Sequence, residues 1–427
     1  MTRSGLFFGV PFEMNSSSHN RWLHRFAVLT ALATLALIGI GGLVTSHEAG
    51  MSVPDWPNSY GYNMFLFPPS KWIGGILYEH THRLWASMVG LLVIALTRWL
   101  GGWASRKPLA IVGALEMLGG IVILSRWPDL AATGGFLAGI GGIVLLAALV
   151  WVRNEAALRP LPQLGWIAFA LVQIQGLLGG LRVVMFKDQI GIFHGTLAQL
   201  FFVLTCAIAL LTSKWWMKRG DVNSTSNIQS TGAHAFKLRG ALLFATVLIL
   251  FQLILGATMR HQHAGLSIPD FPLAYGKLWP ATDVASVARY NAQRVEITDI
   301  NPITAFQIDL QMVHRIAAVL ILAAVGFSAL RARRSTMAKS SVFWLGLILL
   351  QASLGAATVL SNKAADIATA HVLVGAISLA TGTVLSIIVF RFPELASSKA
   401  PALANSPTVD LKSAAGVDPA GNMSAAR

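Results

Sequence analysis

Four histidines carry the chemistry legible in this chain. His82, His194, His314 and His371 each lie in an apolar run, at sixteen, twenty, seventeen and twenty residues from the basic residue that closes it, Arg98, Lys214, Arg331 and Arg391. At about 1.5 Å of rise per residue, all four stand roughly 24–30 Å above one face of a hydrocarbon core about 30 Å thick. An ionisable side chain in hydrocarbon is costly without a partner, so such residues tend to mark functional sites. Singly, each reads as an interfacial or hydrogen-bonded histidine; four in one stratum, two in each half of the chain, read as ligands. Two neutral imidazoles on facing helices suit axial coordination of a haem iron, whereas zinc would want a third or fourth ligand at each site.

Their neighbours sharpen the reading. Arg83 follows His82 and Arg315 follows His314; each is a candidate partner for haem propionates, the competing reading being a side chain that snorkels to the interface. Three residues before His82 stands Glu79, and three before His314 stands Gln311. A carboxylate one helical turn from a ligand can accept a proton or stabilise developing positive charge, and Gln cannot act as a base. Chemistry is therefore expected in the first half and a redox cofactor in the second, unless Glu79 merely sits at the headgroup boundary. His80 competes with His82, but the repeat onto His314-Arg315 favours His82.

The elements that must position these residues are repeated. Ala49–Gly61 (AGMSVPDWPNSYG) recurs as Ala264–Gly276 (AGLSIPDFPLAYG), identical at eight of thirteen positions, which predicts an internal duplication with one related pocket per half. A finer repeat, QGLLGGLR from Gln175, QLILGATM from Gln252 and QASLGAAT from Gln351, precedes His194, His314 and His371, and a degenerate copy at Leu37–Thr45 precedes His82. Small residues at this spacing let helices, or a flat ligand, approach closely.

With 55% hydrophobic and 12% charged residues and a mean hydropathy of +0.62, the chain is a polytopic membrane protein. Runs long enough to span fall at about 26–45, 77–97, 108–125, 131–151, 163–181, 192–212, 238–259, 305–330, 341–360 and 370–390, about ten spans. With the N-terminus inside, 21 Lys and Arg fall on the inner side and nine on the outer, so both termini are expected in the cytoplasm. The net charge of +14 then reflects topology and anionic lipid, not nucleic acid. The lone Cys206 excludes an intrachain disulfide and a cysteine-based metal cluster.

The runs Glu79-His80-Thr81-His82-Arg83, Phe193-His194-Gly195, Val313-His314-Arg315 and Ala370-His371, with the two Ala-Gly-x-Ser-x-Pro-Asp-aromatic-Pro loops, together resemble the haem A synthase family of cytochrome oxidase assembly enzymes. The resemblance spans most of residues 26–390. It implies an all-α fold of two pseudo-duplicated four-helix bundles, eight core helices in all. It implies further that His82 and His194 ligate the substrate haem O, that Glu79 acts at the reacting methyl group, and that His314 and His371 ligate a cofactor haem b. The reaction would oxidise the C8 methyl of haem O to a formyl group, giving haem A. Haem O synthase and cytochrome oxidase assembly factors are the implied partners, in the bacterial cytoplasmic (inner) membrane with the sites near the outer face. A homo-oligomer is admitted, and the electron acceptor is unidentified.

Two features depart from the family. The cysteine pair that some members carry is absent, which rules out a thiol–disulfide route for electrons. A helix pair at about 108–151 is inserted in the first half, with Glu116 inside it lacking an obvious mate. The expected layout is thus a cytoplasmic segment 1–25, an N-terminal half 26–212, a linker 213–237, a C-terminal half 238–391 and a disordered tail 392–427. His47, His261 and His263 in outer loops are weaker candidates, and His19, His24 and His234 have no assigned role. The rival classes are a dihaem b-type electron-transfer protein acting on a quinol and a non-catalytic haem carrier; Glu79 favours an enzyme.

Overall fold

The computed structural model describes residues 5–7, 10–12, 19–150, 160–222, 233–294 and 301–397. A short hairpin, β1 (Gly5–Phe7) and β2 (Val10–Phe12), precedes twelve α-helices: α1 (Arg21–Ser46), α2 (Gly74–Gly101), α3 (Arg106–Arg126), α4 (Ala131–Leu149), α5 (Leu161–Met185), α6 (Asp188–Leu211), α7 (Lys214–Val222), α8 (Ala233–His261), α9 (Val284–Ala292), α10 (Ala305–Ala332), α11 (Ala338–Leu360) and α12 (Ala365–Arg391). Among the described residues nine helical runs are long and apolar enough to cross a membrane. The difference from ten has a simple origin: Gly74–Arg126 is one 53-residue run, broken into α2 and α3 by a tight turn at Gly102, whose φ is +51°. Arg98, near the end of α2, donates to the Gly102 carbonyl and to the Val150 carbonyl past the end of α4 at 2.9 Å. The α3/α4 hairpin therefore departs from and returns to one end of α2.

Helices α1, α2, α5 and α6 pack as one four-helix bundle, and α8, α10, α11 and α12 as another, joined along α1, α6, α8 and α12. Large apolar side chains are packed most heavily at one end of the bundles, while a smaller cluster of Ile268, Tyr290, Ile308 and Met312 joins the second repeated loop to α10. The large buried residues, among them Val93, Leu100, Phe201, Leu238, Leu242, Trp344 and Leu385, cluster at the end away from the repeated loops. Trp344 is fully buried there and donates its indole N–H to the Ser378 carbonyl at 2.8 Å. The opposite end is lined by the glycines of the fine repeat.

The inserted hairpin is welded by glycine. A Cβ on Gly113 or Gly120 of α3, or on Gly134 or Gly141 of α4, would fall 2.3–2.8 Å from backbone atoms of the facing helix. Spaced by seven, these residues form a stripe that brings the two backbones into contact. Glu116, expected to lack a mate, has one in Gln173 of α5, whose side-chain amide donates to it at 2.7 Å; the partner is 57 residues away, beyond the reach of local pattern reading. The hairpin also meets the first repeated loop, where Phe136 packs edge-on against Trp56 with centroids 5.6 Å apart.

The stretch expected as a linker, 213–237, opens with α7, and the expected tail begins with a helical turn, Pro393–Ala396, whose Leu395 and Ala396 are buried. The rest of that tail, 398–427, lies outside the described residues, as do 223–232 of the linker and 1–4, 8–9 and 13–18 of the N-terminal segment. Substituting Gly141→Val should force α3 and α4 apart at a cost of about 1–3 kcal/mol, read as a lower thermal midpoint in detergent. An unchanged midpoint would show that the two helices do not depend on that contact.

Candidate functional site

Each histidine of the quartet lies against a glycine of the membrane-spanning helix before its own. A Cβ on Gly41 would meet the His82 ring at 3.0 Å, on Gly179 the His194 ring at 3.5 Å, on Gly256 the His314 ring at 3.5 Å, and on Gly355 the His371 ring at 3.1 Å. These are the glycines of the fine repeat, Gly41 belonging to its degenerate copy. Their absent side chains give each imidazole its room. The glutamine that opens each full copy secures the same contact: Gln175 and Gln252 donate to the carbonyls of His194 and His314 at 3.2 and 2.9 Å. The Gln351 carbonyl lies 3.1 Å from Nδ1 of His371, and its amide nitrogen 3.5 Å from Nε2.

In the first half the rings of His82 and His194 face each other with centroids 6.5 Å apart and planes at 80°. A metal–imidazole bond of about 2 Å, plus roughly another ångström from nitrogen to ring centre on each side, separates the centroids of two axial imidazoles by about 6 Å. The centroid separation of the His82–His194 pair is close to that distance. Nδ1 of His82, His194 and His314 is buried without a hydrogen-bond partner, so the protein leaves part of each ring's polar capacity unused. At His371, a carbonyl at Nδ1 favours the tautomer whose Nε2 accepts, and there it accepts from the Gln351 side-chain amide. His314 and His371 lie within electrostatic reach of each other. No group of three or more His, Cys, Asp or Glu suited to a metal ion occurs among the described residues.

Glu79 and Arg83 do something the sequence did not reveal. Glu79 is 4% exposed; its carboxylate accepts from the Val53 N–H at 2.8 Å and pairs with Arg83 at 2.7 Å. Arg83 donates onward to the carbonyls of Asp55, Asn58 and Val53 at 2.7, 2.9 and 2.6 Å. Together they clamp the first repeated loop onto α2. The second half repeats the clamp at the matching positions: Gln311 accepts from the Ile268 N–H at 2.7 Å, and Arg315 donates to the carbonyls of Asp270 and Leu273 at 2.8 and 2.9 Å. Both guanidiniums, expected as propionate partners, donate to loop carbonyls. Part of the signal was present in the sequence, since the loops are 215 residues apart and Glu79/Gln311 and Arg83/Arg315, each pair 232 apart, flank the aligned histidines His82 and His314.

The loops themselves are built alike. Asp55 accepts from the N–H groups of Tyr60 and Gly61 at 2.7 Å each, and Asp270 from those of Tyr275 and Gly276 at 2.7 and 2.9 Å. Gly61 and Gly276 have φ near +75°, a region where glycine is at ease. Tyr275 donates to the Ser267 carbonyl and stacks on Tyr290 of α9 with centroids 3.7 Å apart. Burial, with Tyr290 and Asp270 beside it, pushes its phenol up to about 12, so it remains a donor through the neutral range.

His80 is turned away from the pair, fully buried with Nδ1 3.1 Å from the Ser59 hydroxyl and its ring between Phe67 and Trp72. His47 stacks on Tyr78 at 4.2 Å, and His261 lies against Gly191 of α6.

A family model described as cytochrome oxidase assembly protein (COX15-CtaA) matches residues 135–383, more than half of the chain. His194, His314 and His371 fall inside that match, and Glu79 and His82 precede it. Relatives extend the similarity towards the N-terminus. A haem A synthase of Bacillus cereus strain AH187 is 24% identical over 359 residues, 83% of this chain and 88% of its own. Those of Shouchella clausii and Sinorhizobium medicae are 26% and 27% identical over 353 and 365 residues, covering 81% and 82% of this chain and 89% and 84% of theirs.

The clamp makes a stability prediction that is independent of any ligand. Arg83→Ala strands a buried carboxylate and frees three loop carbonyls, and should cost about 3–5 kcal/mol, with faster proteolysis in residues 50–61. Arg315→Ala leaves only a neutral amide behind and should cost less. Equal losses in denaturant unfolding would show that the Glu79 charge plays no part in the clamp.

Proposed function

The chain belongs to the COX15-CtaA family of cytochrome oxidase assembly proteins, and from that membership we propose that it is a haem A synthase, an integral membrane oxidoreductase that converts the C8 methyl group of haem O to a formyl group. The observation that carries the reading is the facing pair His82 and His194, each ring seated on a glycine, with the same arrangement of glycine and histidine in the second half.

In this reading His82 and His194 hold the substrate haem O between α2 and α6, and the glycines beneath them let its flat macrocycle approach the helix backbones. His314 and His371 hold a haem b. Bound there, that cofactor would supply one-electron redox chemistry. The protein's own contribution is to orient the substrate and to handle protons. Oxidising a methyl carbon releases protons, and Glu79 is the carboxylate within one helical turn of a substrate ligand. Its two oxygens each accept one hydrogen bond from the clamp, which leaves lone pairs for a proton. The Lys and Arg asymmetry supports cytoplasmic termini and sites at the outer face of a bacterial inner membrane, where haem O synthase and oxidase assembly factors are the partners.

One observation favours electron transfer without haem modification: Glu79 makes the same backbone bond as Gln311, so a purely structural role accounts for its position. Glu79→Gln separates the two, because the native second half shows that glutamine can hold the loop. With the chain co-expressed beside a source of haem O, the native protein should yield a haem bearing a formyl group by mass. Glu79→Gln should keep normal haem content, with some loss of stability because Arg83 is left without its ion pair, while formyl-haem formation falls about 10²- to 10⁴-fold. Undiminished product would remove Glu79 from the chemistry, and haem b alone from the native protein would leave an electron-transfer protein. His314→Ala and His371→Ala should each abolish the haem b spectrum; a retained spectrum would exclude them as ligands.

A further inference from the structure

A groove of about 590 Å³ runs along α12 between α6 of one bundle and α11 of the other. Its floor is α12 from Ile377 to Ile388, and its walls are Phe202 and Cys206 of α6 and Phe343 of α11. The interior is apolar. Thr381, the hydroxyl in the floor, spends its hydrogen on the Ile377 carbonyl at 2.8 Å. Polar groups line the groove at one end only, where Lys339 and Ser340 open α11 and Ile388 stands three residues before the last residue of α12. That end is the one away from the repeated loops. Lys339 is exposed there and has no ion-pair partner among the described residues.

Length and charge together select the occupant. From Ile377 to Ile388 the floor is about 16 Å long at the rise of an α-helix, which is the depth of one leaflet in a hydrocarbon core about 30 Å thick. An acyl chain has that length and that polarity. At the mouth, the Lys339 stem lies along the apolar wall while its ammonium reaches the polar boundary. Arg333 and Arg334, in the turn just before α11, are exposed beside it in the chain, and Glu394, in the turn that follows α12, is taken by Arg219 at 3.7 Å. Cations gathered at the polar end of a cleft between membrane helices suit the phosphate of an anionic lipid.

We propose that this groove holds one phospholipid with an anionic head group, an acyl chain lying along α12 and the phosphate at Lys339 and Ser340. The lipid fills the seam between α6 and α11 and so takes part in joining the two bundles. The haem reading has no part in this proposal, which stands or falls separately.

The test uses the full-length protein in mild detergent, titrated with phosphatidylglycerol or with phosphatidylcholine of identical chains, and bound lipid is counted by native mass spectrometry. The native protein should bind its tightest phosphatidylglycerol about fivefold or more better than phosphatidylcholine, the worth of one lysine beside an anionic head. Lys339→Gln should cut that preference by about fivefold, and Lys339→Arg should keep it. Val384→Trp, which places an indole on the floor, should remove the tight site for both lipids. Equal affinities in the native protein, or a preference untouched by Lys339→Gln, overturn the proposal. So does native protein that arrives with a neutral isoprenoid in place of the phospholipid, or a Val384→Trp variant that loses a second copy of the chain and not a lipid. If Val384→Trp fails to fold, Lys339→Gln, at an exposed position, still decides.

Discussion

An imidazole that faces the interior of a tight helical bundle needs the volume of another side chain, and this protein supplies it by omitting that side chain on the opposing helix. The omission occurs four times, at Gly41, Gly179, Gly256 and Gly355, each against one histidine of the quartet. Much else follows from it. Loosely filled ends cannot hold a bundle together by packing, so the large buried residues concentrate at the other end, around Leu100, Leu238 and Trp344. At the loop end the clamps of Arg83 and Arg315 on the repeated loops add polar contacts, and in the second half an apolar cluster of Ile268, Ile308 and Met312 adds to them.

Duplication explains why the clamp exists in two chemical versions. The backbone bond made by the carboxylate of Glu79 is made by the amide of Gln311, and the arginine four residues on reaches equivalent carbonyls in both loops. Geometry is the same while charge differs. The second half supports its loop further with α9 and the stacked pair Tyr275 and Tyr290, whereas the first half meets the inserted hairpin through Trp56 and Phe136. Each half thus steadies its loop with whatever lies beside it, and the pocket beneath is spared the variation.

What could be read from the sequence was whatever repeats or has a period. The all-α duplicated architecture, the inserted pair and the glycine–histidine association were legible because apolar runs, the Gln-x-x-x-Gly spacing and the 215-residue offset between loops are all visible in one dimension. The work of Glu79 and Arg83 was not read, because a buried Arg–Glu pair four residues apart looks from sequence like a helix-surface pair or a snorkelling charge. Only the loop folding back over it reveals a clamp. Gln173 as the mate of Glu116, and Arg260 as a donor to the Gly42 carbonyl of α1, depend on helices that meet far from their neighbours in the chain. No periodicity encodes that.

Helix α1 has a role that follows from where its glycines point. Gly41 faces the His82 ring, while Gly42 faces Thr369 and Gly39 faces Leu373, the residues that flank His371 on α12. At this level α1 packs its small-residue face against the side of α12 opposite His371, since residues two positions away on a helix point the other way. The degenerate copy of the fine repeat, weakest of the four by sequence, is therefore the one that joins the two halves.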